Sequence, residues 1–245
     1  SHKEYQELYK ESLDDPDTFW RKIIKQDGLY FKEDFNKICE YNIDVRKGKV
    51  KSEWFIGGKT NICYNALDRH LPKNKDKIAI YYQGNEKDNQ EKITYGELFK
   101  KVCRFANVLK SLGVKKGDRV AIYLPTTIEA IISILACARL GAIHTVVFAG
   151  FSAHALSQRM LDCSVKVLIS ANASTRGQKL IGLKDIADEA IKYCQQEKKD
   201  FILTKHIVVN KKDRKSPRLN SINLTTSYAV FCLKKKKTTR LRHPT

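Results

Sequence analysis

The order of short β-branched runs and amphipathic stretches predicts an α/β chain. It should have a mostly parallel sheet with helices on both faces, preceded by a short helical cap. Three observations carry this. From about residue 77 strand-like and helix-like segments alternate, as they do in βαβ units. Helix start and stop signals fall at the junctions, among them Thr94-Tyr95-Gly96-Glu97 and the glycines 113 and 141. An apolar content of 42% over 245 residues is enough to build a sizeable core.

Residues 3–26 read as two helices broken at Asp15-Pro16, with Asp15 as cap and Pro16 in the first turn of the second. Tyr5, Leu8, Tyr9 and Leu13 form one apolar stripe, and Phe19, Trp20, Ile23 and Ile24 another. Both are expected to pack on a larger body. Residues 27–53 are polar and read as an irregular surface segment. Gly57-Gly58 break the chain, and Asn61 can cap a helix running to His70. His70, beside Arg69 at that helix end, suits the helix dipole better than catalysis.

Residues 78–82 read as the first strand and 84–92 as a polar turn. The helix after Thr94 carries Leu98, Val102, Phe105, Ala106, Leu109 and Leu112 at helical spacing. Residues 119–124 form the next strand, ended by Pro125. Thr126 and Glu129 have capping-box spacing before a helix that stops near Gly141. Strands at 144–148, 165–171 and 201–209 alternate with helices at 153–163 and 185–194.

The net charge of +19 is uneven. Residues 211–245 hold eleven Lys and Arg against one acid, about half of the excess. Such a tail without interleaved aromatics or a recognisable module disfavours a nucleic-acid role. Seven cysteines, at 39, 63, 103, 137, 163, 194 and 232, form no C-x-x-C pair. They argue for neither a disulfide framework nor a zinc site, and no metal ligands are assigned. No apolar run reaches the ~18 residues of a membrane span, and residues 1–25 lack the form of a secretory signal. The expected location is cytoplasmic, with nuclear or organellar alternatives.

Two segments stand out as ligand contacts. Phe148-Ala149-Gly150 ends a strand just before Ser152, a helix-start residue. Arg176-Gly177-Gln178-Lys179 follows the next strand. In open α/β sheets ligands bind beyond the carboxyl ends of strands. Small residues admit close backbone approach there, and Arg and Lys can hold an anionic group.

The longer motifs resemble the acetyl-coenzyme A synthetases, a branch of the adenylate-forming ligases. Residues 54–70, W-F-x-G-G-x-x-N-x-x-Y-N-x-L-D-R-H, match their N-terminal signature. So do Arg104 to Leu109, Gly117 to Tyr123, Ala136 to His144 and Val146 to Ser152, over roughly residues 4 to 210. Within this resemblance residues 1–60 form the N-terminal cap and 61–210 part of the AMP-binding α/β domain. Residues 211–245 are expected to be a basic tail, disordered or artefactual, since strings such as Ser-Pro-Arg-Leu-Asn look like translated transcript-end sequence.

The resemblance implies formation of acetyl-adenylate and pyrophosphate from acetate and ATP, then displacement of AMP by coenzyme A. It implies magnesium as cofactor. It places the 3′-phospho-adenosine end of coenzyme A against Phe148, Ala149 and Gly150, where the family more often has Phe-Gly-Gly, and against Arg176, Gly177, Gln178 and Lys179. No catalytic residue is assigned. A Thr/Ser/Gly-rich loop ending in Pro-Lys-Gly, the magnesium ligands and a domain with a catalytic lysine are not in the sequence. The chain is therefore expected to be an N-terminal portion without ligase activity. A propionate–CoA ligase portion and a non-catalytic coenzyme A or anion-binding module are the alternatives. A dinucleotide-binding domain is disfavoured, because no G-x-G-x-x-G follows the first strand.

Overall fold

The computed structural model describes residues 1–84, 87, 89–177, 179–210 and 229–231. It divides the chain into two units, Ser1–Lys77 and Ile78–Thr245.

In the first unit, α1 (His2–Asp14) and α2 (Pro16–Asp27) meet at the expected break. Asp15 Oδ1 accepts from the Thr18 amide at 3.1 Å, and Gly28 ends α2 with φ +62°. The α1 stripe differs from expectation. Tyr5, Leu8, Tyr9 and Leu13 are all exposed, and Tyr5 stacks on Tyr9 with ring centroids 6.1 Å apart. What holds α1 locally is its N-terminal capping box, Ser1 with Glu4, rather than burial.

Residues expected to be irregular instead form an antiparallel ribbon, β1 (Lys37–Asn42) with β2 (Lys51–Ile56). Only Ile38 in it is buried, so its polar residues gave little periodic signal. Phe31, Phe35 and Phe55 cluster with ring centroids 5.1–5.6 Å apart. Asn61 caps α3 (Ile62–Ala66) as expected, accepting from the Tyr64 amide at 3.1 Å. That helix stops early. Leu67, at φ −131° and ψ −62°, interrupts it before a 3-10 turn at Asp68–His70 and the short α4 (Leu71–Asn74). The 54–70 motif acts here as a staple. Buried Asn65 exchanges hydrogen bonds with the Tyr30 backbone at 2.8 and 2.9 Å. The Arg69 guanidinium donates to the Asn65 and Asp27 carbonyls at 2.8 and 2.7 Å.

The second unit opens with β3 (Ile78–Gln83), which pairs antiparallel with β4 (Gln90–Thr94). The expected first strand is thus outside the parallel sheet, and the last three residues of the expected polar turn, 90–92, are paired strand. The Thr94–Glu97 capping box is present, with the Glu97 amide 3.2 Å from Thr94 Oγ1, and starts α5 (Tyr95–Ser111). There follow β5 (Arg119–Tyr123), α6 (Ile128–Leu140), β6 (Ile143–Val146), α7 (Ala153–Asp162) and β7 (Val167–Ala171). A short hairpin, β8 (Ser174–Arg176) and β9 (Lys179–Ile181), precedes α8 (Leu183–Glu197) and β10 (Lys205–Val209). Of the tail 211–245 only β11 (Ala229–Phe231) is described, and the rest lies outside the described residues.

The main sheet is parallel throughout, in the order β11-β10-β7-β5-β6. The step from β5 to β6 runs one way, and the steps to β7 and β10 run the other. Right-handed crossovers then put α6 on one face and α7 and α8 on the opposite face. Packing agrees, since α5 lies against α6 and α7 against α8. β5 and β7 are almost wholly buried between the layers. The second expected capping box is not made. Thr127, not Thr126, precedes α6, and its hydroxyl makes no capping bond. Among the described residues no helix is long and apolar enough to cross a membrane.

Gly141 closes α6 with φ +70°, and a Cβ there would lie 3.1 Å from Lys116 Cγ. Gly141→Ala is expected to lower stability by about 1 kcal/mol, read as a shifted urea midpoint. An unchanged midpoint would show that the left-handed turn is not required.

Candidate functional site

The carboxyl end of β6 is shaped by its neighbours. The Val147 amide donates to the Ile122 carbonyl at 2.9 Å, carrying the β5–β6 pairing one residue further. A turn then closes where the Phe151 amide meets the Phe148 carbonyl at 3.0 Å. Tyr123, fully buried at the end of β5, donates its hydroxyl to the Phe151 carbonyl at 2.8 Å. Burial pushes the Tyr123 phenol upward, so it stays protonated and remains a donor. Ser152 accepts from the Ala155 amide at 3.2 Å and starts α7.

This turn presents Phe148, which is 64% exposed. Ala149 points the other way. It is buried, so its extra methyl adds to the interior rather than crowding a ligand. A Cβ at Gly150 would sit 2.6 Å from Cε1 of the Phe148 ring, so a larger residue there would push that exposed ring aside. Phe148 and Phe151 pack edge to face, with centroids 6.0 Å apart.

The second segment forms the β8–β9 hairpin. Arg176 and Lys179 are direct Cα partners across its tip. Gly177 has φ +59° with open space around its missing Cβ, a conformation suited to a tight hairpin turn. Lys179 is exposed, and Gln178 lies outside the described residues.

Both segments leave the carboxyl ends of strands in the same parallel sheet, so they share its rim. β5 separates their parent strands β6 and β7. A concavity of about 420 Å³ takes in Phe148 and Phe151 together with Thr145, Val146, Arg159, Asp162 and Cys163. Among the described side chains of the hairpin, none is part of its lining. Arg159 is the cation that sequence reasoning passed over. Its guanidinium lies 5.2 Å from the centre of the Phe151 ring, a cation–π distance. Within the sequence it looked like an ordinary polar position on a helix. Among the described residues no group of three or more His, Cys, Asp or Glu could hold a metal ion.

The sequence model of acetyl-coenzyme A synthetase N-termini matches residues 5–66. That of AMP-binding enzymes matches residues 67–231, running past residue 210 to include β11. An acetyl-coenzyme A synthetase of Desulfatibacillum aliphaticivorans is 49% identical over 82% of this chain and 30% of its own. One of Drosophila melanogaster is 44% identical over 89% of this chain and 32% of its own. The solved acetoacetyl-CoA synthetase of Streptomyces lividans superimposes with TM-score 0.72 and 25% identity, over 85% of this chain and 30% of that one. The chain thus spans about a third of the length of the relatives it matches. With two thirds of its residues inside the match at 67–231, the chain belongs to the AMP-binding enzyme family.

Proposed function

We propose that the chain is the N-terminal part of an AMP-forming acetate–CoA ligase and carries that enzyme's grip on the 3′-phospho-adenosine end of coenzyme A. The observation that supports this best is the unbroken succession of the two family matches over residues 5–231. In the whole enzyme, acetate oxygen attacks the α-phosphorus of ATP, giving acetyl-adenylate and pyrophosphate. The thiol of coenzyme A then attacks the acyl carbon and AMP leaves. A bare carboxylate would have to expel oxide, whereas AMP is a competent leaving group.

In this chain Phe148 offers an exposed aromatic face for a purine, with Ala149 and Gly150 forming the turn behind it. Arg176 and Lys179, with Gly177 and Gln178 between them, supply cations for the 3′-phosphate. Among the described residues no cluster of carboxylates fits a magnesium site, and no step is assigned through that ion. The ATP-phosphate loop of the family is also missing from these 245 residues. Charge developing during adenylation therefore has no stabiliser in the chain alone. The proposed location is cytoplasmic.

Two measurements test this reading. Purified chain with ATP, magnesium and acetate is expected to release no pyrophosphate above background. Coenzyme A is expected to raise its thermal midpoint more than dephospho-coenzyme A does. Pyrophosphate release would refute the first statement, and equal midpoints would refute the 3′-phosphate grip.

A further inference from the structure

Near the feet of the β8–β9 hairpin a series of polar side chains runs from the apolar interior to the partly exposed flank of α8. Ser170 of β7 is fully buried and His206 of β10 is 4% exposed. Ser170 Oγ and His206 Nε2 share a hydrogen bond of 2.7 Å. His206 Nδ1 lies 3.5 Å from Asp188 Oδ1 on α8, a close polar contact without hydrogen-bond geometry. The other Asp188 oxygen pairs with Lys184 Nζ, one turn earlier on the same helix. Burial opposes ionisation of Asp188, but the His206 and Lys184 contacts outweigh it and hold the carboxyl below its ordinary value.

The order Ser–His–Asp suggests nucleophilic catalysis, but the burial of Ser170 forbids it, since no substrate carbonyl can reach the hydroxyl. Stability is a poor explanation too. Apolar groups of the same shape often serve a core as well as buried polar ones. What such a network supplies is position, because the Ser170–His206 hydrogen bond is directional and apolar contacts are not, and the polar contact to Asp188 favours one placement of α8.

The topology shows what is positioned. The Lys184 amide donates to the Asn172 carbonyl at 3.2 Å, and the Asn172 amide to the Val209 carbonyl at 3.0 Å. The Asn172 side chain reaches Asn210 at 2.9 Å. Asn172 and Lys184 flank the hairpin as its two feet. The network, buried at Ser170 and His206 and partly exposed at Asp188 and Lys184, meets the α8 foot through Asp188 and Lys184 and the β7 foot through Ser170.

We propose that Ser170, His206, Asp188 and Lys184 are positioning residues that lock the base of the β8–β9 hairpin, so that its tip, where Lys179 is exposed, meets an anionic group in a set place. The identity of that group as the 3′-phosphate of coenzyme A rests on the functional reading above.

The test uses the full 245-residue chain and the double variant Ser170→Ala/His206→Leu, which removes both hydrogen-bonding partners together. Lys184→Met, at a partly exposed position, is a second variant that keeps the core intact and is read in the same way. Calorimetric titration measures affinity for coenzyme A and dephospho-coenzyme A, and amide hydrogen exchange reports on residues 174–181. The expected result is faster hairpin exchange and about fivefold weaker coenzyme A binding, the size of re-ordering one or two side chains on binding. Dephospho-coenzyme A affinity should not change. Folded variants with parental coenzyme A affinity and parental hairpin exchange would overturn the proposal. If the parent chain binds both ligands equally, the functional reading falls. Hairpin exchange alone then decides the anchoring: faster exchange supports it, and unchanged exchange overturns it.

Discussion

Replacing Arg176 and Lys179 together by alanine is expected to weaken coenzyme A binding by about thirtyfold while leaving dephospho-coenzyme A unaffected. A hydrogen bond to a charged group contributes about 1.5–3 kcal/mol. Physiological salt, and for Lys179 its exposure, reduce that substantially. Two screened contacts worth about 2 kcal/mol together correspond to about thirtyfold. The general field of a chain with net charge +19 also favours coenzyme A, which carries the additional phosphate charge. Removing two cations lowers the net charge only to +17 (19 minus 2), so that field changes little for either ligand, and a loss confined to coenzyme A reports the local contacts. Calorimetric titration of the parent and the double variant with both ligands is the measurement. Equal weakening toward both ligands would show the two cations to be generic surface charge. No weakening toward either would remove the hairpin from the site.

The largest effect on stability is expected from Leu156→Ala, at about 3 kcal/mol. Leu156 is fully buried on α7, beside the equally buried Met160. Removing its side chain loses transfer energy and leaves a cavity that α7, packed against α8, cannot easily close. Ile131 on α6 is 38% exposed, so Ile131→Ala is expected to cost less than half as much. Since a domain of this kind is stable by about 5–15 kcal/mol, the Leu156 variant should show a clearly lower urea midpoint. α7 begins at Ser152, directly after the Phe148 turn, so this loss also loosens the proposed purine face. A difference of under 1 kcal/mol between the two variants would show that α7 is not tightly packed.

Much of the second unit is visible in its residues. The apolar spacing of α5 and the capping pair Thr94–Glu97 act over a few residues, and both appear as expected. Asp15-Pro16 and Asn61 behave in the same way. The ribbon β1–β2 and the strand β4 escaped notice because each buries a single residue, Ile38 in the ribbon and Ile93 in β4. The three-residue strands of the hairpin are too short for any period to show. β3 was visible as a strand, but its apolar run says nothing of its neighbour, which is β4 and not the parallel sheet.

The site divides along the same line. Phe148, Gly150, Arg176 and Lys179 stood out because their residue types and motifs carry chemical meaning without coordinates. That Ala149 faces inward, that Phe148 rests on Gly150 and that Arg159 lies against Phe151 could not be read from order along the chain. The same holds for the Ser170–His206–Asp188 alignment, which joins residues up to 36 positions apart. Backbone propensity, capping and motif identity are local, and a linear chain records them directly. Which strand neighbours which, and which polar groups meet inside the core, depends on how whole elements pack, and that is settled only when the layers close over one another.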